Sequence, residues 1–269
     1  NYAKRLNFRI NTYLEATLLK GLTLKTELST DYNLNKTKTY QPDYKFGVRE
    51  SSQRDGAWYK NDTKYWSWRN ILTYNGTIAE KHNINVMAGQ EMSQSYWENF
   101  AASNSGYLSN SVTDLIAGAT TGANINLTQG NQDGYKLYSY FGRALYNYAD
   151  RYLLTATLRC DGSNKFAEGH RWGWFPSAAF AWRASQENFL KDNKVINNLK
   201  LRLGWGATGN QNVQQWAYAA MLKNYTTSWG VGVMNANNAN PELKWETTYS
   251  TNVGFDLSLF NSRIDIVFD

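Results

Sequence analysis

The chain of 269 residues has a single cysteine, Cys160, so no disulfide can form within it and no cysteine cluster can hold a metal. Only 3 prolines interrupt it, which suits a chain built of long hydrogen-bonded strands. Its 2 histidines, His82 and His170, stand far apart without ligand-like neighbours and read as solvated loop residues. No apolar run approaches the roughly 18 residues that a membrane-crossing helix needs. The mean hydropathy is −0.61. That value does not exclude a membrane, because barrel strands turn half their residues toward a polar lumen. The net charge of +6 is scattered along the chain, which argues against a nucleic-acid-binding arm. There is no H-E-x-x-H, G-x-S-x-G or P-loop. Carboxylates are plentiful, but no spacing singles out a catalytic pair. The expectation is therefore no enzyme and no cofactor.

What is present is alternation. From Leu6 to Leu18 the even positions are Leu6, Phe8, Ile10, Thr12, Leu14, Ala16 and Leu18; the odd ones include Asn7, Arg9, Asn11 and Glu15. Successive side chains of a strand point to opposite faces, so this segment has one apolar and one polar face. It exceeds the usual 5–6 or so residues of a soluble strand. It is long enough to cross a bilayer, which takes about 9–11 tilted residues.

Similar alternation recurs about ten times. It is clear in Trp66–Tyr74, Tyr140–Tyr148, Tyr152–Leu158, Trp174–Trp182, Leu199–Trp205 and Tyr249–Leu259. Short connections fall at Lys20-Gly21, Ala79–His82, Ala149-Asp150 and Asn261-Ser262. The Gln186–Asn198 link is longer and has room for one helical turn. Extended connections rich in Asn, Gly, Ser and Thr fall at about Asn33–Lys64, Trp97–Gly134, Gly162–Arg171 and Thr208–Glu246. Short turns at one end and long loops at the other match the periplasmic and extracellular ends of an outer-membrane barrel. The fold class expected is all-β: an antiparallel transmembrane β-barrel segment of about ten strands. Many cations fall at lumen parity: Arg9, Lys25, Arg69, Arg143, Arg183 and Arg202.

Aromatics make up 15% of the chain, and a barrel has a use for them at two interfacial girdles. Trp66, Trp68, Trp97, Trp172 and Trp174 fit the outer girdle, and Tyr146, Tyr148 and Tyr152 the inner one. Gly204–Gly209 matches G-x-G-x-x-G after a strand, but no helix follows to receive a pyrophosphate. A strand running into a Gly-rich loop is the preferred reading. Cys160 shares the parity of Leu154 and Leu158 and is read as an outward, small apolar filler. Both chain ends lie inside or beside alternating runs, which suggests a piece of a longer protein.

Four segments carry a more specific signal. Tyr140–Phe166, Arg171–Leu190, Thr208–Asn212 and Asn240–Ile264, taken in order, resemble the barrel of SusC/RagA-type TonB-dependent outer-membrane transporters. Residues 1–139 agree in strand pattern with less distinctive motifs. Cys160 and Ala207 depart from the residues usual in the family at those places. The resemblance implies a parent barrel of roughly 22 strands, an N-terminal plug, a SusD/RagB-like surface lipoprotein as lid, and energy from TonB–ExbB–ExbD acting on the plug. On that reading residues 1–269 are a partial barrel without plug, TonB box or C-terminal strands. The implied cargo is an oligosaccharide or peptide, and the location the outer membrane.

Two other classes remain open at this stage. One is a passive porin or a structural or adhesive barrel. The other is a soluble β-rich carbohydrate-binding or glycosidase domain with an aromatic platform. If cargo is imported, Trp58, Tyr59, Tyr225 and Trp229, each in an expected extracellular loop, are the candidates to contact it. Aromatic rings stack on the apolar faces of sugars, while Asn and Gln satisfy hydroxyls.

Overall fold

The computed structural model describes residues 1–111, 114–115, 126–191 and 193–269, and the side chains of 126–132 are outside that description. It contains a 10-stranded antiparallel sheet in which strand order follows chain order. The sheet strands are β1 (Tyr2–Leu19), β2 (Leu22–Gln41), β5 (Asp55–Ile78), β6 (His82–Ser105), β7 (Asn126–Tyr148), β8 (Tyr152–Ser163), β9 (Trp172–Arg183), β10 (Ile196–Asn210), β13 (Glu246–Leu259) and β14 (Ile264–Phe268). Two further hairpins stand outside it: β3 (Tyr44–Phe46) with β4 (Arg49–Ser51), and β11 (Leu222–Thr227) with β12 (Gly230–Asn235). No helix among the described residues is long and apolar enough to cross a membrane.

The chain divides into two compact units. One comprises Asn1–Thr12, Leu28–Ser67 and Ser93–Tyr135; the other comprises Tyr13–Glu27, Trp68–Met92 and Lys136–Asp269.

Register in the second unit turns sequence parity into two faces. Tyr146 lies opposite Leu154, Leu154 opposite Phe180, Phe180 opposite Leu203, and Leu203 opposite Val253. The neighbouring apolar row runs Ala144, Ala156, Ala178 and Trp205. Directly opposed residues share a face, so these rows are one apolar surface. Between them run polar-face rows. Arg143 is opposite Thr157 and Thr157 opposite Ser177; Thr155 is opposite Ala179, and Gly204 opposite Asn252. Leu154, Ala156, Leu201, Val253 and Leu257 thus lie on the face opposite Arg143, Thr155, Arg202 and Asn252, as the alternation predicts. Leu154 (46%), Leu203 (51%) and Val253 (64%) are heavily exposed, the reverse of a water-soluble sheet with a covered apolar face.

Four expectations need correction. The connection over Asn33–Lys64 is mostly strand, because β2 continues to Gln41 and β5 begins at Asp55. β5 and β6 each run 24 residues, far more than a bilayer requires, and past the apolar band both faces are polar, so alternation fades. The Thr208–Glu246 connection contains the β11–β12 hairpin. The Gly204–Gly209 match lies wholly inside β10 instead of entering a loop. The Gln186–Asn198 link is preceded by a single 3₁₀ turn at Ala184–Gln186. The connection expected over Trp97–Gly134 is shorter than expected, because β6 continues to Ser105 and β7 begins at Asn126; residues 112–113 and 116–125 lie outside the described residues.

Two of the short turns are tight and left-handed. Ala79 and Glu80 have φ of 48° and 56°, and Ala149 and Asp150 have 52° and 57°. Two successive positive-φ residues give the backbone twist of a primed hairpin turn, here made without glycine.

Candidate functional site

The polar face of the second unit is lined with ion pairs. Arg69 reaches Glu91 at 3.2 Å, and Arg202 reaches both Asp256 and Asp269 at 2.9 Å. Arg159 holds Asp161 at 2.8 Å, donates to the Ser139 hydroxyl at 3.0 Å, and lies 5.7 Å from the Phe141 ring centroid. In the first unit Arg9 pairs with Asp31 at 2.7 Å. The lumen-parity cations are thus largely matched by acids on the same face. Arg143 has no ion-pair partner among the described residues.

Above these pairs in the second unit, the connections are tied by an aromatic knot. Phe166 is fully buried, and its ring lies 5.4 Å from that of Trp245. Trp245 meets Phe175 edge-on at 5.3 Å and donates from Nε1 to the Arg171 carbonyl at 2.8 Å. Gly209 and Gly173 make room for the Phe175 ring: a Cβ at either would come within 2.1 or 2.5 Å of it. That is the physical reason for a glycine at the end of the G-x-G-x-x-G match. Asn210 donates to Glu246 at 2.9 Å, and His170 faces Glu242 at 3.3 Å. Phe166, Phe175, Gly209 and Trp245 come one from each of the segments that carry the family resemblance.

The first unit has a polar counterpart. Arg54 donates to Asp43 at 2.7 Å and to the carbonyls of Tyr107 and Leu108 at 2.8 and 3.0 Å. Asn110 donates to the other Asp43 oxygen at 2.6 Å, and the Tyr40 hydroxyl to Asn110 at 3.1 Å. The Arg54 and Asn110 hydrogen bonds hold the Asp43 carboxyl below the ordinary carboxylate range. Burial pushes the Tyr107 hydroxyl up; it packs against Gly56 and has no hydrogen-bond partner among the described residues. Beside it is a hollow of about 490 Å³ whose lining includes Thr39, Tyr40, Asp55, Gly56, Ser103 and Asn104. Hydroxyls and amides of this kind can both donate and accept. Sequence reasoning missed this hollow, since nothing local marks residues that meet across 50 positions or so.

The four aromatic candidates are not gathered into one site. Trp58 and Tyr59 are in the first unit, within β5 and not in a loop. Being consecutive on a strand, they face opposite sides. Trp58 is already engaged, with the Lys38 ammonium 3.8 Å from its ring centroid, while Tyr59 is 49% exposed. Tyr225 and Trp229 are in the second unit, on the β11–β12 hairpin, with Trp229 at its turn and 97% exposed. Among the described residues no His, Cys, Asp and Glu cluster could hold a metal. His82 and His170 are both partnered, His82 through Nδ1 to the Tyr146 hydroxyl at 2.7 Å.

At the short-turn end, Glu187 accepts from the Tyr152 hydroxyl at 2.7 Å, the Trp182 indole at 3.3 Å and Arg151 at 3.2 Å. The Tyr152 hydrogen bond, then that of Trp182, holds its carboxyl below the ordinary range.

Comparison with known proteins agrees with this architecture. The chain is 30% identical over 272 residues to TonB-dependent receptor P39 of Formosa agariphila, an alignment covering 100% of this chain and 26% of that protein. It is 44% identical over 136 residues to TonB-dependent receptor SusC of Bacteroides thetaiotaomicron, covering 48% of this chain and 14% of SusC. In fold it matches the solved RagAB peptide transporter at a TM-score of 0.89 and 23% identity, over 98% of this chain and 29% of that one. The chain therefore spans about a quarter of the length of the curated receptors it matches along its whole length. The family described as "TonB dependent receptor-like, beta-barrel" matches residues 1–269, so this two-faced sheet belongs to the TonB-dependent receptor β-barrel family.

Proposed function

We propose that the chain is part of the wall of an outer-membrane importer of the SusC/RagA type that carries oligosaccharides or peptides. The observation that carries this reading is one sheet with a bare apolar face and an ion-paired polar face. Lipid satisfies the first and a water-filled lumen the second. The parent protein would supply the plug, the TonB box and the remaining strands from sequence outside residues 1–269. A SusD/RagB-like surface lipoprotein would cover the long-loop end, and TonB–ExbB–ExbD would pull on the plug. The fold neighbour RagAB is a peptide transporter, and the proposal carries that class of cargo to this chain.

Cargo contacts are assigned to Tyr59, Tyr225 and Trp229 as exposed rings, to Trp58 with its Lys38 cap, and to the polar hollow beside Tyr107. The test is uptake of labelled oligosaccharide and peptide pools by cells making the full-length parent, with and without functional TonB. Uptake should stop without TonB. Diffusion that continues would assign a passive porin instead. Absence of the parent from the outer-membrane fraction would overturn the membrane reading itself. Trp58→Ala and Trp229→Ala should weaken uptake while leaving folding and lid binding intact. Unchanged transport in both would remove the aromatic site but not the importer.

A further inference from the structure

The apolar face is not evenly filled. Across β6, β7, β8 and β9, in the interior of the sheet and away from both of its edges, lies a hollow of about 740 Å³. Its floor includes Ala88, Gly142 and Cys160, and its walls include Tyr140, Leu158 and Trp174. Leu158 is opposite Gly142, and Cys160 lies between Tyr140 and Trp174. Tyr140 stacks on Trp172 at 6.2 Å, closing one side.

Gly142 is the informative residue. It sits in mid-strand, where glycine is a poor choice. Its φ is not in the left-handed region, and a Cβ there would meet nothing closer than the Met87 carbonyl oxygen at 3.6 Å. Gly89 differs, since a Cβ there would strike the Phe141 ring at 2.6 Å. Neither backbone geometry nor packing asks for glycine at 142; what its smallness leaves is the hollow.

Position and charge name the occupant. Cys160 is eight residues along β8 from Tyr152 at the short-turn end. At about 3.3 Å per residue and a tilt near 40°, this puts it about 20 Å across a band roughly 25 Å tall. The hollow therefore lies in the outer half. Toward the long-loop end, Tyr138 and Lys136 continue the Tyr140 side of β7. Lys136 is exposed, and its ammonium has no ion-pair partner among the described residues. An apolar slot below aromatic rings and a free cation suits a lipid with acyl chains and an anionic headgroup.

We propose that one acyl chain of the phosphorylated glycolipid of the outer leaflet, lipid A, lies in this hollow with a phosphate against Lys136. The proposal rests on the membrane reading above. The test uses the full-length receptor in mild detergent, titrated with purified lipid A or with phosphatidylglycerol and read by native mass spectrometry. Wild type should hold one lipid A more firmly than phosphatidylglycerol. Gly142→Leu, which fills the slot, should weaken retention about tenfold, and Lys136→Glu should weaken it less. Equal retention by Gly142→Leu and wild type, preference for phosphatidylglycerol, or dimerisation through this face in place of lipid would each overturn it.

Should Gly142→Leu fail to fold, wild type still decides: lipid A should slow alkylation of Cys160, identified on its peptide, and an unchanged rate would overturn the proposal. Contact of spin-labelled lipid with a probe at position 154 separates the two levels. Contact at 154 without a filled hollow leaves the membrane reading standing; no contact at 154 removes both.

Discussion

Two knots tie the connections of this chain, and they are built from opposite chemistry. In the second unit Phe166, Phe175 and Trp245 interlock with glycines at 173 and 209 cleared for the rings. In the first, Asp43, Arg54 and Asn110 hold one another by charge-assisted hydrogen bonds beside Tyr40 and Tyr107. The aromatic knot depends on shape. It needs particular residue types at particular places, and so it leaves motifs in the sequence. The polar clasp depends on charge, which salt screens and acid removes, and many sequences could supply it.

The comparison breaks most visibly at the aromatic knot. Phe166→Ala in the intact receptor should cost about 3–5 kcal/mol, read as a shift of the urea midpoint in bilayers. Gly209→Val should act in the same direction by driving out the Phe175 ring. A loss below about 1 kcal/mol for Phe166→Ala would mean that the site repacks and shape is not what holds it.

The strand body offers a reference between the two knots. Leu154→Arg should cost roughly 2–4 kcal/mol if it sits near the bilayer midplane. Unchanged folding of that variant in bilayers would count against the assigned face.

At the polar clasp, Arg54→Ala should speed proteolytic cleavage near residues 41–55 while leaving the urea midpoint of the second unit unmoved. Because the folded-state Asp43 carboxyl is depressed, its stabilisation is complete above the ordinary carboxylate range. It is lost as pH falls through the depressed value. Cleavage there should therefore rise on acidification in wild type, and the Phe166 region should not follow. Parallel acid responses in the two regions would erase the contrast.

Glu187→Gln should have the smallest effect. The amide oxygen can still accept from Tyr152 and Trp182, so the neutral-pH midpoint should hold. What should disappear is the part of the acid sensitivity contributed by the depressed Glu187 carboxyl, measured as the difference between neutral and acid midpoints.

The same contrast explains what was legible in the sequence. Between Tyr140 and Leu259 one face must be apolar, so parity alone separates Leu154 from Thr155 and Leu203 from Arg202. In the upper parts of β2 and β5, such as Lys36–Thr39 and Asp55–Asn61, neither face is consistently apolar. The period-two signal vanishes there although the backbone remains extended, which is why the sequence alone places Trp58 and Tyr59 in a loop when they lie in β5. The G-x-G-x-x-G match was visible as letters, but its reason lay in Phe175, which sits on another strand. Arg54 could not be found, because its partners at 43 and 107–108 are joined only by the fold.

The sheet's order has a consequence for how such a wall could be altered. Every strand pairs with the next sheet strand along the chain, and the β3–β4 and β11–β12 hairpins leave and rejoin without entering the sheet. An excursion of this kind can grow, shrink or be exchanged at a modest entropic cost that rises slowly with its length. The register of its flanking strands is fixed elsewhere, by apolar rows such as Leu154, Phe180 and Leu203. Grafting a foreign hairpin between Asn210 and Glu246 should therefore leave the wall standing while replacing the surface that Tyr225 and Trp229 present. The proposed cargo surface would then be exchanged as a cassette, with the apolar-faced scaffold kept as a constant part.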